Sequence, residues 1–147
     1  MRNVWELQAE QDLRGYKALK ASLENLPEQI AELRAALTSI SSPGANSEGG
    51  HGSGDGPDSR AVELYTKIFK LTDALQTAKK TEKRIHRALG ALSMDERRVL
   101  EIFFIDAERN AAEKTADLFC ITRQTAYFRR EQAMLKFAIA MYGPQKY

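Results

Sequence analysis

The chain is poor in the residues that build covalent or metal-bound frameworks. Among its 147 residues there is one cysteine, Cys120, and there are two histidines, His51 and His86. One thiol closes no disulfide within the chain, and three Cys/His side chains cannot complete a four-ligand structural zinc site. A single thiol fits a reducing compartment, so a cytoplasmic location is expected. No apolar run approaches the ~18 residues of a membrane span. The first residues, MRNVWELQAEQD, carry charges where a signal peptide would be apolar. No membrane partner is therefore expected. A phosphate-cradling loop is also missing, because the glycines between 49 and 56 lie in low-complexity sequence without a GK[ST] element. No Ser/His/Asp set has an organisation suited to catalysis. The chain reads as a protein with no enzymatic activity, no cofactor and no metal.

What is present is a composition of ordered, water-compatible protein: 43% hydrophobic, 29% charged, formal net charge +2. One boundary stands out. Residues 41–60, SSPGANSEGGHGSGDGPDSR, hold six glycines, two prolines and five serines. Such a stretch has little to bury and much backbone entropy to lose, and it reads as a flexible loop with His51 as solvent-facing filler.

On both sides of the loop the apolar residues keep helical time. Leu19, Leu23, Leu26, Ile30, Leu33, Leu37 and Ile40 are spaced alternately by four and three, and the phase runs backwards through Tyr16, Asp12, Ala9 and Trp5. That is the narrow seam of a helix lying along a partner helix. Pro27 falls inside it and predicts either a kink or the start of a second helix. After the loop, Leu64, Ile68, Leu71, Leu75, Ala78, Glu82, Ile85, Leu89 and Leu92 repeat the pattern with one charged position, Glu82. The expected architecture is all-α: a first long helix over 1–40, the loop over 41–60, and a second long helix over 61–92. Together they form an antiparallel, coiled-coil-like hairpin. Two helices bury little by themselves, so added partners are expected, through a homodimer of the hairpin or through packing on the C-terminal part.

Residues 93–142 change character. Ser93-Met94-Asp95-Glu96 is a capping box, opening a helix with Val99, Leu100, Phe103 and Phe104 on one face. Asn110 to Glu113 predicts a second capping box and a short helix containing Ala116 and Leu118. Cys120-Ile121 then forms a turn, and Thr122 caps a last helix that Gly143-Pro144 stops. Two short helices joined by a tight turn predict a helix-turn-helix. The small residues it needs are Ala116 at the crossing, Cys120 and Ile121 in the turn, and Ala126 facing inward. The candidate DNA-binding residues are Thr122, Arg123, Gln124, Thr125, Tyr127, Arg129 and Arg130. Arg123 and Gln124, on the first turn, carry the donors that read guanine and adenine edges. Tyr127 would meet a thymine methyl or a phosphate, and Arg130 with Arg129 would meet the phosphate backbone.

Charge is clustered accordingly. Residues 119–147 hold five Lys/Arg against the single acid Glu131, and residues 76–90 hold Lys79, Lys80, Lys83, Arg84 and Arg87 against Glu82. Concentrated cations on a nearly neutral chain point to a polyanionic partner, here double-stranded DNA.

The stretch LSMDERRVLEIFFIDAERNAAEKTADLFCITRQTAYFRREQAMLKFA resembles region four of bacterial sigma factors. Over residues 5–142 the chain resembles phage and prophage late-gene transcription regulators of the ArpU and RinA type, including the phrase ALTSISSP ahead of a polar loop. The resemblance implies binding to promoter DNA and contact with host RNA polymerase. Within ADLFCITRQTAY, Thr122, Arg123, Thr125 and Tyr127 match the family pattern, whereas Cys120 replaces a turn glycine, Thr115 an isoleucine and Ala126 a valine. Phe119 and Phe128 are the side chains available to fill the space so left. The competing expectation is an assembly protein whose hairpin is the working part, such as a small-terminase-like subunit for phage DNA packaging.

Overall fold

The computed structural model describes residues 2–41 and 57–144. All the regular structure among them is helical: α1 (Val4–Arg14), α2 (Tyr16–Ser41), α3 (Pro57–Gly90), α4 (Met94–Leu100), α5 (Ala111–Phe119) and α6 (Arg123–Tyr142). A five-residue π-helical turn, Glu101–Ile105, follows α4 directly. Among the described residues no helix is long and apolar enough to cross a membrane. The chain divides into two compact units, Met1–Lys20 with Lys80–Tyr147, and Ala21–Lys79. Most of the Gly/Ser-rich stretch lies outside the described residues. Its last positions already belong to α3, which starts at Pro57, a good first residue because its missing N–H would have no partner there.

The unit of residues 21–79 is the hairpin. Its two arms bury Ile30 from α2 and Leu64, Leu75 and Ala78 from α3, all on the heptad seams. Pro27 neither starts nor ends a helix: α2 runs through it as one element. The exposed ring sits on the outer side of α2, where the lost amide bond is the main penalty.

The break in the N-terminal helix falls instead at Gly15. This residue closes α1, its N–H donating to the Gln11 carbonyl at 3.0 Å, and α2 restarts at Tyr16. The single long helix expected over 1–40 is therefore two. Asn3 caps α1 with a complete capping box to Glu6. Ala9, Leu13 and Tyr16 form the buried edge of this segment, so Trp5 and Asp12 do not carry the seam. Trp5 stands beside Tyr142, with ring centroids 5.4 Å apart, and Asp12 accepts a hydrogen bond from the Tyr142 hydroxyl.

The core of the other unit draws on distant parts of the chain. Ala9, Leu13 and Tyr16 meet Ile85, Ala88, Leu89 and Leu92 of the α3 end, Leu100 and Phe104 beyond it, and Ala133, Met134, Phe137 and Ala138 of α6. The C-terminal helices therefore share their core with α1, where the sequence placed a separate unit at 93–142. Glu82, the one charged seam position, accepts a hydrogen bond from the Tyr16 hydroxyl at 3.1 Å. Burial is the main reason the Tyr16 hydroxyl titrates above its ordinary range.

Ser93 caps α4 as expected, bonded reciprocally with Glu96. The π-helical turn was not legible in the sequence. Its closing bond runs from the Asp106 N–H to the Glu101 carbonyl at 2.7 Å. The extra residue turns Ile102 and Phe104 into the core and leaves Phe103 at its margin. Asn110 departs from expectation too: it adopts φ +58° and makes no side-chain cap, so its capping box with Glu113 does not form. A left-handed residue at that position does not aim its side chain at the free amides of the next turn.

Thr115 is fully buried, and its hydroxyl has no hydrogen-bond partner among the described residues. Replacing it with valine keeps the shape and removes the stranded oxygen, which costs roughly 1–3 kcal/mol when buried unpaired. Thr115→Val is expected to raise the thermal unfolding midpoint by a few degrees in calorimetry; a lowered midpoint would show that the hydroxyl is satisfied in solution.

Candidate nucleic-acid interface

The site is built on the α5–turn–α6 corner. Ala116 and Ala126, both buried, let the two helices approach closely where they cross. Cys120 ends α5 at φ +54° and ψ +48°, the left-handed conformation that glycine adopts most cheaply. The N–H groups of Cys120 and of Ile121, the latter at 2.9 Å, both reach the Ala116 carbonyl and finish the helix. Thr122 then opens α6, its hydroxyl oxygen accepting from the Thr125 N–H at 3.1 Å. Its hydroxyl also lies 2.9 Å from that of Thr125. The cap is thus made by two of the candidate residues, which leaves neither hydroxyl idle.

α6 buries Ala126, Ala133, Met134, Phe137 and Ala138. At about 100° per residue this stripe fixes which side chains face outward. Gln124, Phe128, Gln132 and Leu135 lie near the opposite side, with Thr125 and Arg129 on its flank, and all but Thr125 are exposed.

The remaining candidates are placed differently. Tyr127 and Arg130 turn toward the π-helical turn. The Arg130 guanidinium lies 5.0 Å from the Tyr127 ring centroid and 5.3 Å from that of Phe103, and the two rings stand 6.1 Å apart. Arg130 also donates to Glu131 at 2.7 and 2.9 Å. Arg2, from the far end of the chain, donates to the same carboxylate at 2.8 and 3.3 Å and pairs with Glu10. Arg130, expected at the phosphate backbone, is stacked on Tyr127 and Phe103 and paired with Glu131. Arg123 is exposed at the amino end of α6; the Tyr127 hydroxyl first, then the Glu113 carboxylate at 3.5 Å, hold its guanidinium above its already high range. Arg129 lies over Phe119, 5.6 Å from the ring centroid, and remains exposed.

Phe128, one of the two side chains available to fill the space around Ala126, is 60% exposed. Ala126 is buried without it. A helical wheel anchored on Ala126, Ala133 and Phe137 carries the signal that places Phe128 and Gln132 outward. A list of donors by residue type does not contain it. A second polar surface lines the groove between α4 and α6, where Ser93, Asp95, Glu96, Arg129, Gln132 and Lys136 meet. There Lys136 pairs with Glu96 at 2.6 Å and is the first cause that holds that carboxyl below its ordinary range. Among the described residues no group of three His, Cys, Asp or Glu side chains is placed to hold a metal ion.

Compared with protein-family models, with curated proteins and with solved structures, the chain matches none of them.

Two predictions follow the geometry of the corner. Cys120 is exposed, so glycine there loses no buried contact and relieves the left-handed penalty of about 1–2 kcal/mol, offset in part by glycine's larger entropy loss on folding. Cys120→Gly is expected to stabilise the protein by roughly 0.5–1 kcal/mol in urea unfolding. The Glu131 carboxyl is held below the usual carboxylate range, first by Arg2 and in spite of partial burial. A carboxyl lowered by folding stabilises above its unfolded value near ~4.3 and loses that contribution as pH falls through the folded value. Because Glu131 is partly wet, the pair is worth no more than ~1 kcal/mol. Arg2→Met is expected to make the acid limb of stability against pH shallower than in the wild type; equal limbs would remove Arg2 as the cause.

Proposed function

We propose that the protein is a sequence-specific double-stranded DNA-binding regulator of phage or prophage transcription, acting at promoters together with host RNA polymerase. The observation that carries the DNA reading is the outward side of α6: a threonine-capped helix, fixed by a buried alanine-rich stripe, offers Gln124 and Arg129 to solvent with Arg123 at its amino end. A helix of this kind fits the major groove, where glutamine bonds adenine N6 and N7 and arginine bonds guanine O6 and N7. Arg129, on the flank, is the phosphate-facing cation. The transcriptional part of the proposal is supported by the resemblance to sigma region four and to ArpU/RinA-type regulators.

A second reading, a hairpin-based assembly protein, is favoured by one feature of α3. Val62, Tyr65 and Phe69 are 64%, 61% and 74% exposed, at intervals of three and four residues along one side of the helix. Light scattering separates the two: a regulator is a monomer or dimer, a packaging subunit a ring-sized oligomer.

The test of the DNA reading is selection of bound duplexes from random sequence at two salt concentrations. Gln124→Ala is expected to cost ~1–3 kcal/mol at one base pair and to relax preference there. Arg129→Ala is expected to weaken binding to all sequences alike and to lower the salt slope by about one. A wild-type chain that enriches no sequence at either salt concentration sinks the proposal.

A further inference from the structure

We infer that Phe128 is the residue of α6 that senses the C5 methyl group of a thymine in the major groove. The inference rests on the DNA-binding reading above and adds a specificity-determining residue to it. Three observations carry it. Phe128 follows Gln124 by one helical turn, so both lie on the same outward side, about 200° around the helix from the buried Ala126. At 60% exposure it is the large apolar side chain at the centre of that side within the first two turns. The charge around it is mixed but favours an anion: residues 123–130 contain three arginines and no acid, Glu131 is occupied by Arg2 and Arg130, Glu96 by Lys136, and Glu113 stands 3.5 Å from Arg123, which leaves the exposed Arg129 on the flank.

These facts assign the apolar contact to one ring. Tyr127, the other aromatic in the same turns, has its ring against Phe103 and Arg130 and its hydroxyl toward Arg123. At 39% exposure against 60% for Phe128, it is the less open of the two rings, and its ring and hydroxyl are engaged with the protein's own surface. A helix whose Gln124 reads a base edge brings the side chain one turn on to a neighbouring base pair. There the one apolar group that distinguishes a base in the major groove is the thymine methyl, which phenylalanine contacts and cannot confuse with a hydrogen-bonding edge.

The experiment removes the methyl and the ring separately. A duplex selected from random sequence by the wild-type chain is synthesised with uracil in place of thymine at each position in turn. Binding is measured for the wild type and for Phe128→Ala, whose fold is checked by circular dichroism. Burying one methyl is worth about 0.8 kcal/mol, or roughly a fourfold change in Kd. One thymine position is expected to lose about fourfold in the wild type and to show no methyl sensitivity in Phe128→Ala. Methyl sensitivity that persists in the variant, or a wild type indifferent to every thymine methyl, overturns the role given to Phe128. A wild-type chain that selects no duplex overturns the DNA reading on which it stands, so the two failures are told apart.

Discussion

The arrangement of α6 depends on one constraint: the helix must bury a continuous stripe of Ala126, Ala133, Met134, Phe137 and Ala138, and it can do so in one rotational setting. Small residues at 126, 133 and 138 let neighbouring helices come close, while Met134 and Phe137 fill the space between them. A rotation of one residue, about 100°, would turn part of this stripe out to solvent. The side chains available to a partner are therefore dictated by what the core takes. Gln124 and Phe128 face out because Ala126 faces in.

The electrostatics around this helix serve the fold and the surface at the same time. Glu131, the one acid within α6, would repel a phosphate if left alone. It is bracketed by Arg2 and Arg130, so its charge is matched within the protein. Arg130 and Arg2 are held over the rings of Phe103 and Phe104 as well. Stacked guanidinium groups keep their charge at any physiological pH and remain able to hydrogen bond. Arg123, loosely tethered by Tyr127 and Glu113, and Arg129, resting on Phe119, stay exposed on α6.

Much of the helical framework was legible because it follows from local chemistry. The alternating three and four spacing from Leu64 to Leu92 reports a helix side, and its residues are buried or half-buried in the structure. Ser93 and Thr122 announce helix starts because their oxygens can reach amides three residues on, and both do. Non-local facts were hidden. Nothing near Arg2 in sequence shows that its partner is Glu131, and nothing near Ala9 shows that it meets α6. The π-helical turn was hidden for a related reason: its extra residue satisfies core contacts of Ile102 and Phe104 that local periodicity does not contain. At the site, residue type alone named Arg130 and Tyr127 as DNA-facing and passed over Phe128. The register of the buried alanines turns Phe128 outward.

The shared core of α1 and α6 has a bearing on how the chain is made. Leu13 is completely enclosed, yet the core it belongs to includes Met134 and Phe137, more than a hundred residues downstream. A ribosome delivers the first helix long before those partners exist, and a contact that distant closes late. During synthesis α1 must wait with its apolar edge uncovered until α6 has left the exit tunnel.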